Sequence, residues 1–308
     1  MSDSAKKNLF CFGYGYSCDW LGYALARQGG WHMAGTTRDN EKRRHMKQHG
    51  IRAFLFDFDH PLEDPLLFLR DTTHLLISTP PDDEGDPAFR LHAEDILQLK
   101  SLQWVGYLSS TAVYGDRDGA WVDENSERRP SSKRGSRRLK AEEQWLGLFR
   151  RKGLPVHIFR LAGIYGPGRS ALDSVRAGVA RRINKPGHAF SRIHVEDIVQ
   201  ALIASMAQPN PGQAYNLADD RAAPSYEVIA LACELLGLTP PPLIPYEEAD
   251  LAPITRSFYG DNKRIRNERI KTELGVALKY PTFIEGLKGC LAAEEDMPTI
   301  SVAGGSGE

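Results

Sequence analysis

The sequence predicts an α/β protein in which a doubly wound parallel sheet is followed by a small C-terminal lobe. Short apolar runs alternate with longer amphipathic stretches, the pattern of a sheet covered by helices. The stretch between successive runs is long enough for a right-handed crossover. The first run also leads directly into the turn Gly13-Tyr14-Gly15 and then an amphipathic segment.

Taken in order, Asn8 to Phe12, Trp31 to Gly35, Ala53 to Phe56, His74 to Ser78, Trp104 to Ser109 and Val156 to Arg160 read as six strands. Their continuous apolar character suits strands buried on both faces. Asp19 to Gln28, Asp39 to His49, Phe89 to Lys100 and Ser136 to Lys152 read as helices, the last charged enough to be solvated on one face. Beyond Gly166 come a Pro-Gly turn, a basic helix near Ser174 to Ile183, another helix near Val195 to Met206 and a Pro-rich break at Thr239 to Pro245. The expected organisation is a first domain over 1–166, to which parts of 190–220 return, and a smaller lobe over 167–293. Residues 294–308, acidic and then rich in Gly and Ser, read as a disordered tail.

Composition narrows the function classes. With 308 residues, 41% hydrophobic and 26% charged, the chain is an ordinary globular one. No run approaches the roughly 18 apolar residues of a membrane helix, and Met1 to Lys7 holds no signal-peptide region, so no membrane contact and a cytoplasmic location are expected. A formal net charge of -1 argues against nucleic acid as a partner and for small molecules. Cys11, Cys18, Cys233 and Cys290 lack metal-ligand spacing, so neither zinc nor disulfides are expected.

The motif Gly13-Tyr14-Gly15-Tyr16-Ser17-Cys18 closes the first strand and opens the first helix. Gly13 can make the tight turn, Gly15 lets a pyrophosphate approach the backbone, and the helix start offers unpaired N–H groups to that anion. Cys18 takes the third small-residue position. This is the fingerprint of a Rossmann-type dinucleotide site, the alternative being a strand-to-helix turn without a ligand. An NAD site would carry an acid about 20 positions on, at the end of the second strand. Here that strand ends Gly35-Thr36-Thr37-Arg38, with Lys42, Arg43 and Arg44 following, a set that suits the 2'-phosphate of NADP. Arg38 as an ordinary surface arginine, and Asp39 as the ribose acid of a longer strand, are the competing readings. Asp57 is placed to meet the adenine or to serve as a turn residue, and Ser78-Thr79-Pro80 lies at the carboxyl edge where such sheets meet ligands.

Tyr107-Leu108-Ser109-Ser110-Thr111-Ala112-Val113-Tyr114-Gly115, then Arg160-Leu161-Ala162-Gly163-Ile164-Tyr165-Gly166-Pro167 and Ile193-His194-Val195-Glu196-Asp197-Ile198, add a family pattern. Together with Leu274-Gly275, Tyr280-Pro281 and Gly286-Leu287, this order resembles the extended short-chain dehydrogenase/reductase superfamily. The resemblance implies an NAD(P)-binding Rossmann domain and a substrate-binding C-terminal lobe, with sugar-nucleotide epimerases, dehydratases and reductases as relatives. It also implies cofactor contacts at Ser109 and Gly163, substrate contacts at Thr111, Tyr114, Arg169, His194 and Lys263, and a homodimer through the helices after the fourth and fifth strands.

The superfamily's catalytic core is a Ser or Thr hydroxyl after the fifth strand and a Tyr-x-x-x-Lys on the next helix. Ser110 matches the hydroxyl, which can polarise a carbonyl. Anchoring on Gly135 and Glu142 puts Arg134 at the tyrosine and Arg138 at the lysine; a shifted register puts Ser136 and Lys140 there and also fails. A guanidinium stays protonated, so Arg134 cannot be a general base, whereas Arg138 can hydrogen-bond a ribose or stabilise an oxyanion. Departure at both positions resembles the superfamily's atypical branch. Tyr114, Tyr165, His194 and Asp197 are the remaining acid-base candidates, each with a packing or capping role as the plainer explanation.

The C-terminal lobe carries basic clusters, Arg176, Arg181, Arg182, Lys185 and Arg192, then Arg256, Lys263, Arg264, Arg266 and Arg269. Most are surface residues, but some suit an anionic, nucleotide-sugar-like substrate. Phe258 to Arg264 reads as a pocket edge. The expected function is an NADP-dependent oxidoreductase, epimerase or dehydratase with an unusual acid-base group. The alternative is a non-catalytic NADP-binding sensor or partner-binding protein.

Overall fold

A computed structural model describes residues 7–296. Its centre is a seven-stranded parallel sheet formed by β1 (Lys7–Phe12), β2 (Trp31–Thr37), β3 (Arg52–Leu55), β4 (His74–Ile77), β5 (Trp104–Ser110), β7 (Val156–Leu161) and β11 (Ala214–Leu217). The strand order is β11-β7-β5-β4-β1-β2-β3, so the order of strand addition reverses between β1 and β4, the switch point at which ligands of such sheets sit. Three short parallel ribbons lie outside it: β6 (Trp121–Val122) with β13 (Arg264–Ile265), β8 (Gly163–Tyr165) with β10 (Arg192–His194), and β9 (Arg182–Asn184) with β12 (Leu243–Pro245).

The helices are α1 (Tyr16–Gln28), α2 (Asn40–Gln48), α3 (Pro65–Leu69), α4 (Pro87–Leu97), α5 (Lys133–Lys152), α6 (Ala171–Arg176), α7 (Val195–Ala207), α8 (Ser225–Leu235), α9 (Pro253–Phe258), α10 (Glu268–Glu273) and α11 (Phe283–Asp296). Alternation along each strand sends side chains to two cores. Leu9 and Cys11 of β1 join Leu21 and Leu25 of α1 and Ile198 and Leu202 of α7 on one face. Phe10 and Phe12 join Ile96 of α4 and Trp145 of α5 on the other. Both faces are therefore covered by helices, which is why the strands read as mostly apolar runs without strict alternation.

The differences from the sequence expectation are local. A seventh strand, β11, pairs with β7 from Ala214↔Ile158 to Leu217↔Leu161. The basic helix expected near Ser174 to Ile183 is the shorter α6, held at its start by a capping box between Ser170 and Asp173. Gly178 follows at φ 67°, a left-handed position that favours glycine and stops the helix, and β9 takes over at Arg182. Helix α11 runs past Glu294 to Asp296, and the remainder of the expected tail, 297–308, lies outside the described residues. All four cysteines are buried free thiols. No helix among the described residues is long and apolar enough to cross a membrane.

Candidate active site

The carboxyl edge of the sheet gathers the residues singled out by the sequence. Gly13 adopts φ +81°, and a Cβ there would lie 3.0 Å from the Thr79 nitrogen at the end of β4. Only glycine fits that turn. Its N–H donates to Thr36 Oγ1 (2.9 Å), and the Tyr14 N–H donates to the Thr36 carbonyl (2.7 Å), so β2 fixes the loop. A Cβ on Gly15 would meet nothing within 4 Å.

Gly15 is the N-cap of α1 and offers no side-chain cap. The other helices flanking the sheet differ: Asp39, Asp86, Ser132 and His194 cap α2, α4, α5 and α7 through their side chains. Among the described residues, the first N–H groups of α1 have no hydrogen-bond partner, at the positive end of the helix dipole. Cys18 is fully buried and its thiol donates to the Gly13 carbonyl (3.5 Å), so a small side chain closes the turn where a third glycine is usual. Ser17 is buried beside it. The Tyr16 hydroxyl donates to the Pro167 carbonyl (3.0 Å), tying the Gly166 to Arg169 turn to this loop, and the Arg169 guanidinium lies 5.6 Å from the Tyr16 ring centre.

Strand β2 ends at Thr37, whose hydroxyl accepts the Asp39 N–H (3.2 Å). Arg38 is exposed and, with Arg43 and Lys47, lines a groove of about 870 Å³ that continues past Asp57 and His60. Neither Arg38 nor Arg43 has a carboxylate partner among the described residues, whereas Lys42 pairs with Asp19 at 3.0 Å. Asp39 caps α2 by accepting the Glu41 N–H (2.7 Å), which is a structural duty rather than a ribose contact. Asp57 accepts the backbone N–H groups of Asp59 and His60 (2.9 Å each) and the His60 ring (2.8 Å), the turn role that the sequence left open.

At the end of β4, Ser78 is half-buried and Pro80 exposed. The Thr79 hydroxyl donates to Asp86 (3.1 Å), which is fully buried and caps α4. Burial pushes the Asp86 carboxyl up to about 6, against its hydrogen bonds from Phe89 and Thr79. Asp86 was not anticipated, although an Asp followed by Pro ahead of an apolar run is a helix-start signal.

Ser110 ends β5, and its oxygen accepts the Ala112 N–H (3.2 Å) as cap of the short turn Thr111–Tyr114. Its proton is left to donate, and Thr111 beside it is half-buried. Arg138 Nη1 donates to the Leu108 carbonyl (2.8 Å), the Tyr107 hydroxyl (3.1 Å) and the Thr79 carbonyl (3.4 Å), so this guanidinium clamps the ends of β4 and β5. Arg134 is exposed, with its guanidinium carbon 4.4 Å from the centre of the Phe258 ring. Burial and the charge of Arg138 both pull its pKa below the ordinary value. The Ser131 hydroxyl also donates to Asp261, so the C-terminal lobe reaches the first turn of α5 at two points.

Other expected site residues are committed to architecture. Ser109 donates to Glu142 (2.6 Å) and is buried, so its side chain is not offered to a cofactor. The Tyr114 hydroxyl donates to Asn216 (2.7 Å), accepts from Arg160 (2.8 Å) and is fully buried, which leaves no face for substrate. His194 is likewise fully buried; its Nδ1 accepts the Glu196 N–H (3.2 Å), and burial holds its ring down to about 4. Asp197 accepts the N–H groups of Lys279 (2.7 Å) and Tyr280 (3.1 Å), a cap for another segment rather than for its own helix. Lys263 is buried and pairs with Asp261 at 3.1 Å. Gly163 is exposed in β8, its N–H donating to the Ser191 carbonyl (3.1 Å).

A second hollow, of about 720 Å³, lies in the C-terminal lobe, where Arg169, Arg181 and Arg192 share its lining with Tyr165 and Tyr259.

Comparison with known proteins bears on the fold and the family. The NAD dependent epimerase/dehydratase family matches residues 97–218. Protein YeeZ of Escherichia coli (strain K12) is 30% identical over 277 residues, covering 85% of this chain and 93% of that protein. A functionally unknown conserved protein from Silicibacter pomeroyi DSS is 49% identical, with a TM-score of 0.86 over 93% of this chain and 99% of that one. The fold alone is shared with dTDP-glucose 4,6-dehydratase from Bacillus anthracis str. Ames, solved in complex with NAD, at 17% identity and a TM-score of 0.75 over 94% of this chain and 97% of that one. The chain belongs to the extended short-chain dehydrogenase/reductase superfamily, in its atypical branch of NAD(P)-dependent epimerase/dehydratase-like proteins.

Proposed function

We propose that the protein binds NADP in preference to NAD and carries out oxidoreductase, epimerase or dehydratase chemistry on an anionic, nucleotide-sugar-like substrate. The observation that carries this reading is the start of α1, where a glycine cap leaves the first N–H groups without a hydrogen-bond partner among the described residues. A pyrophosphate fits that cradle, and a side chain at Gly13 would collide with Thr79 and close it. Arg38 and Arg43, without carboxylate partners, supply the charge for a 2'-phosphate.

The nicotinamide, when bound, supplies hydride exchange with a substrate carbon. The chain does the rest. Ser110, its oxygen fixed by the Ala112 N–H, hydrogen-bonds the substrate oxygen; in reduction the proton that oxygen takes up passes through this hydroxyl, which regains one from water, and in oxidation the transfer runs in reverse. Arg138, held on Leu108 and Tyr107, is a pre-positioned cation for negative charge developing on that oxygen. Arg169 and Arg192 in the C-terminal hollow hold the anionic remainder of the substrate.

A second reading, NADP binding without catalysis, is favoured by Arg134, which lies against Phe258 where the superfamily keeps its phenol. Hydride-transfer assays with NADPH on a panel of carbonyl and nucleotide-sugar substrates separate the two. Turnover that falls at least tenfold in Ser110→Ala, or about 1.4 kcal/mol in transition-state stabilisation, supports catalysis. Tight NADPH binding without turnover on any substrate would replace it with the non-catalytic reading.

A further inference from the structure

Helix α5 opens with a dense run of cations, Lys133, Arg134, Arg137, Arg138 and Lys140. Three are satisfied by one acidic residue. Lys133 and Arg137 pair with Asp83 at 2.9 and 2.8 Å, and Lys140 donates to the Asp83 carbonyl (2.8 Å). Arg134 and Arg138, one turn apart, have no carboxylate within ion-pair range among the described residues. Only Nη1 of Arg138 is occupied, by the Thr79 and Leu108 carbonyls and the Tyr107 hydroxyl. Arg134 meets the Phe258 ring with its guanidinium, and none of its N–H groups has a partner among the described residues.

Two like charges at this spacing repel, and Phe258 covers one face of the Arg134 guanidinium. The lowered pKa of Arg134, from burial and then from Arg138, registers the same strain. Their location is specific: Arg138 holds the Thr79 and Leu108 carbonyls at the ends of β4 and β5, Leu108 lying two residues before Ser110, while Phe258 brings the C-terminal lobe against Arg134. We propose that Arg134 and Arg138 together bind an oxyanion group, a carboxylate or a phosphate, that the substrate carries beside its reacting carbon.

Each guanidinium presents N–H groups in a planar fork, and such forks match the paired oxygens of either group. The anion pairs with Arg134 and shares the Nη2 side of Arg138, which keeps its Nη1 at the ends of β4 and β5, and its neighbouring carbon lies towards the Ser110 hydroxyl. The substrate class narrows to hydroxy or oxo acids and their phosphate counterparts. The inference rests on the reading above that Ser110 and Arg138 act on the substrate's reacting oxygen.

The test is calorimetric titration of the full chain, saturated with NADPH so that the Arg38 groove is filled, with malonate and separately with inorganic phosphate. Saturable binding of at least one probe is expected in the unmodified protein, weakened roughly tenfold or more in Arg134→Gln and unchanged in Arg137→Gln. Arg134→Gln is the informative variant, because Arg134 holds no backbone group in place, and an unchanged thermal unfolding curve checks that it folds. Saturation by malonate alone assigns a carboxylate, and by phosphate alone a phosphate. No saturable binding of either probe, or equal weakening in Arg137→Gln, overturns the proposal. Nucleotide binding is read in its own titration: NADPH binding with flat anion titrations sinks this inference alone, whereas failure to bind NADPH sinks the proposed function. In that event the anion titration on Arg38→Gln still decides the pair.

Discussion

Two regions of α5 treat charge in opposite ways. Near its middle, Glu142 is fully buried yet accepts from Ser109 (2.6 Å), Arg160 (3.0 Å) and Arg128 (3.1 Å). Arg160 continues to Tyr114 (2.8 Å), and Tyr114 to Asn216 (2.7 Å), so the network ties α5 to β5, β7 and β11. Near its start, Arg134 and Arg138 lie one helical turn apart, and neither has a carboxylate within ion-pair range among the described residues. Buried charge that is completely paired holds a fold together, whereas accessible charge left without a counter-ion is available to a ligand. The residue types alone do not distinguish these roles; the pairing does.

The largest expected effect comes from breaking the paired region. Glu142→Ala strands the buried Arg160 guanidinium and the Ser109 hydroxyl, and should cost about 3–5 kcal/mol, read as a lower urea midpoint. Next, Gly13→Ala forces a left-handed φ on a residue with a Cβ and presses it on Thr79. It should cost about 1–3 kcal/mol and abolish NADPH binding; retained affinity would show that the turn is not the nucleotide cradle.

Asp219 sharpens the comparison because it is buried and its Oδ2 has no hydrogen-bond partner among the described residues. Burial, opposed by the nearby Arg192 charge, pushes its carboxyl up to about 7, against about 3.9 in an unfolded chain. Between those values the folded protein keeps a proton that the unfolded chain releases, so this group subtracts stability as pH rises from about 4 to about 7. Asp219→Asn lacks that loss. Its stability relative to the unmodified protein should therefore grow by about 1 kcal/mol or more over this window. The buried histidines are common to both proteins and drop out of the difference. A pH-independent difference would place the Asp219 pKa at its ordinary value.

The smallest effect on stability is expected at the unpaired region. Arg134→Gln removes a like-charge neighbour and a stacking contact, so the net change should stay within about 0.5 kcal/mol. A loss as large as that of Glu142→Ala would mean that Arg134 is architecture.

The sheet was legible because both its faces are covered by helices. β1, β4 and β7 announce themselves as mostly apolar runs, and the Gly13 turn is fixed by backbone geometry that only glycine satisfies. The two arginines in place of the dyad were equally visible, since they sit at fixed offsets from Gly135 and Glu142. What could not be read was which polar residues are already spoken for. Tyr114 finds Asn216 and His194 finds Cys290 (3.6 Å) across long stretches of chain, and such partners leave no local trace. Ser109 and Ser110 are adjacent and chemically identical, yet the pleat turns one towards Glu142 and leaves the other to cap a turn. The short α6 was overdrawn because its basic residues continue beyond Gly178, where the backbone turns away.

The most direct test of the nucleotide site is calorimetric titration of the full chain with NADPH and with NADH at one ionic strength. Saturable binding, tighter for NADPH and lost in Gly13→Ala, is the predicted result. Absence of saturable binding for both nucleotides would contradict it.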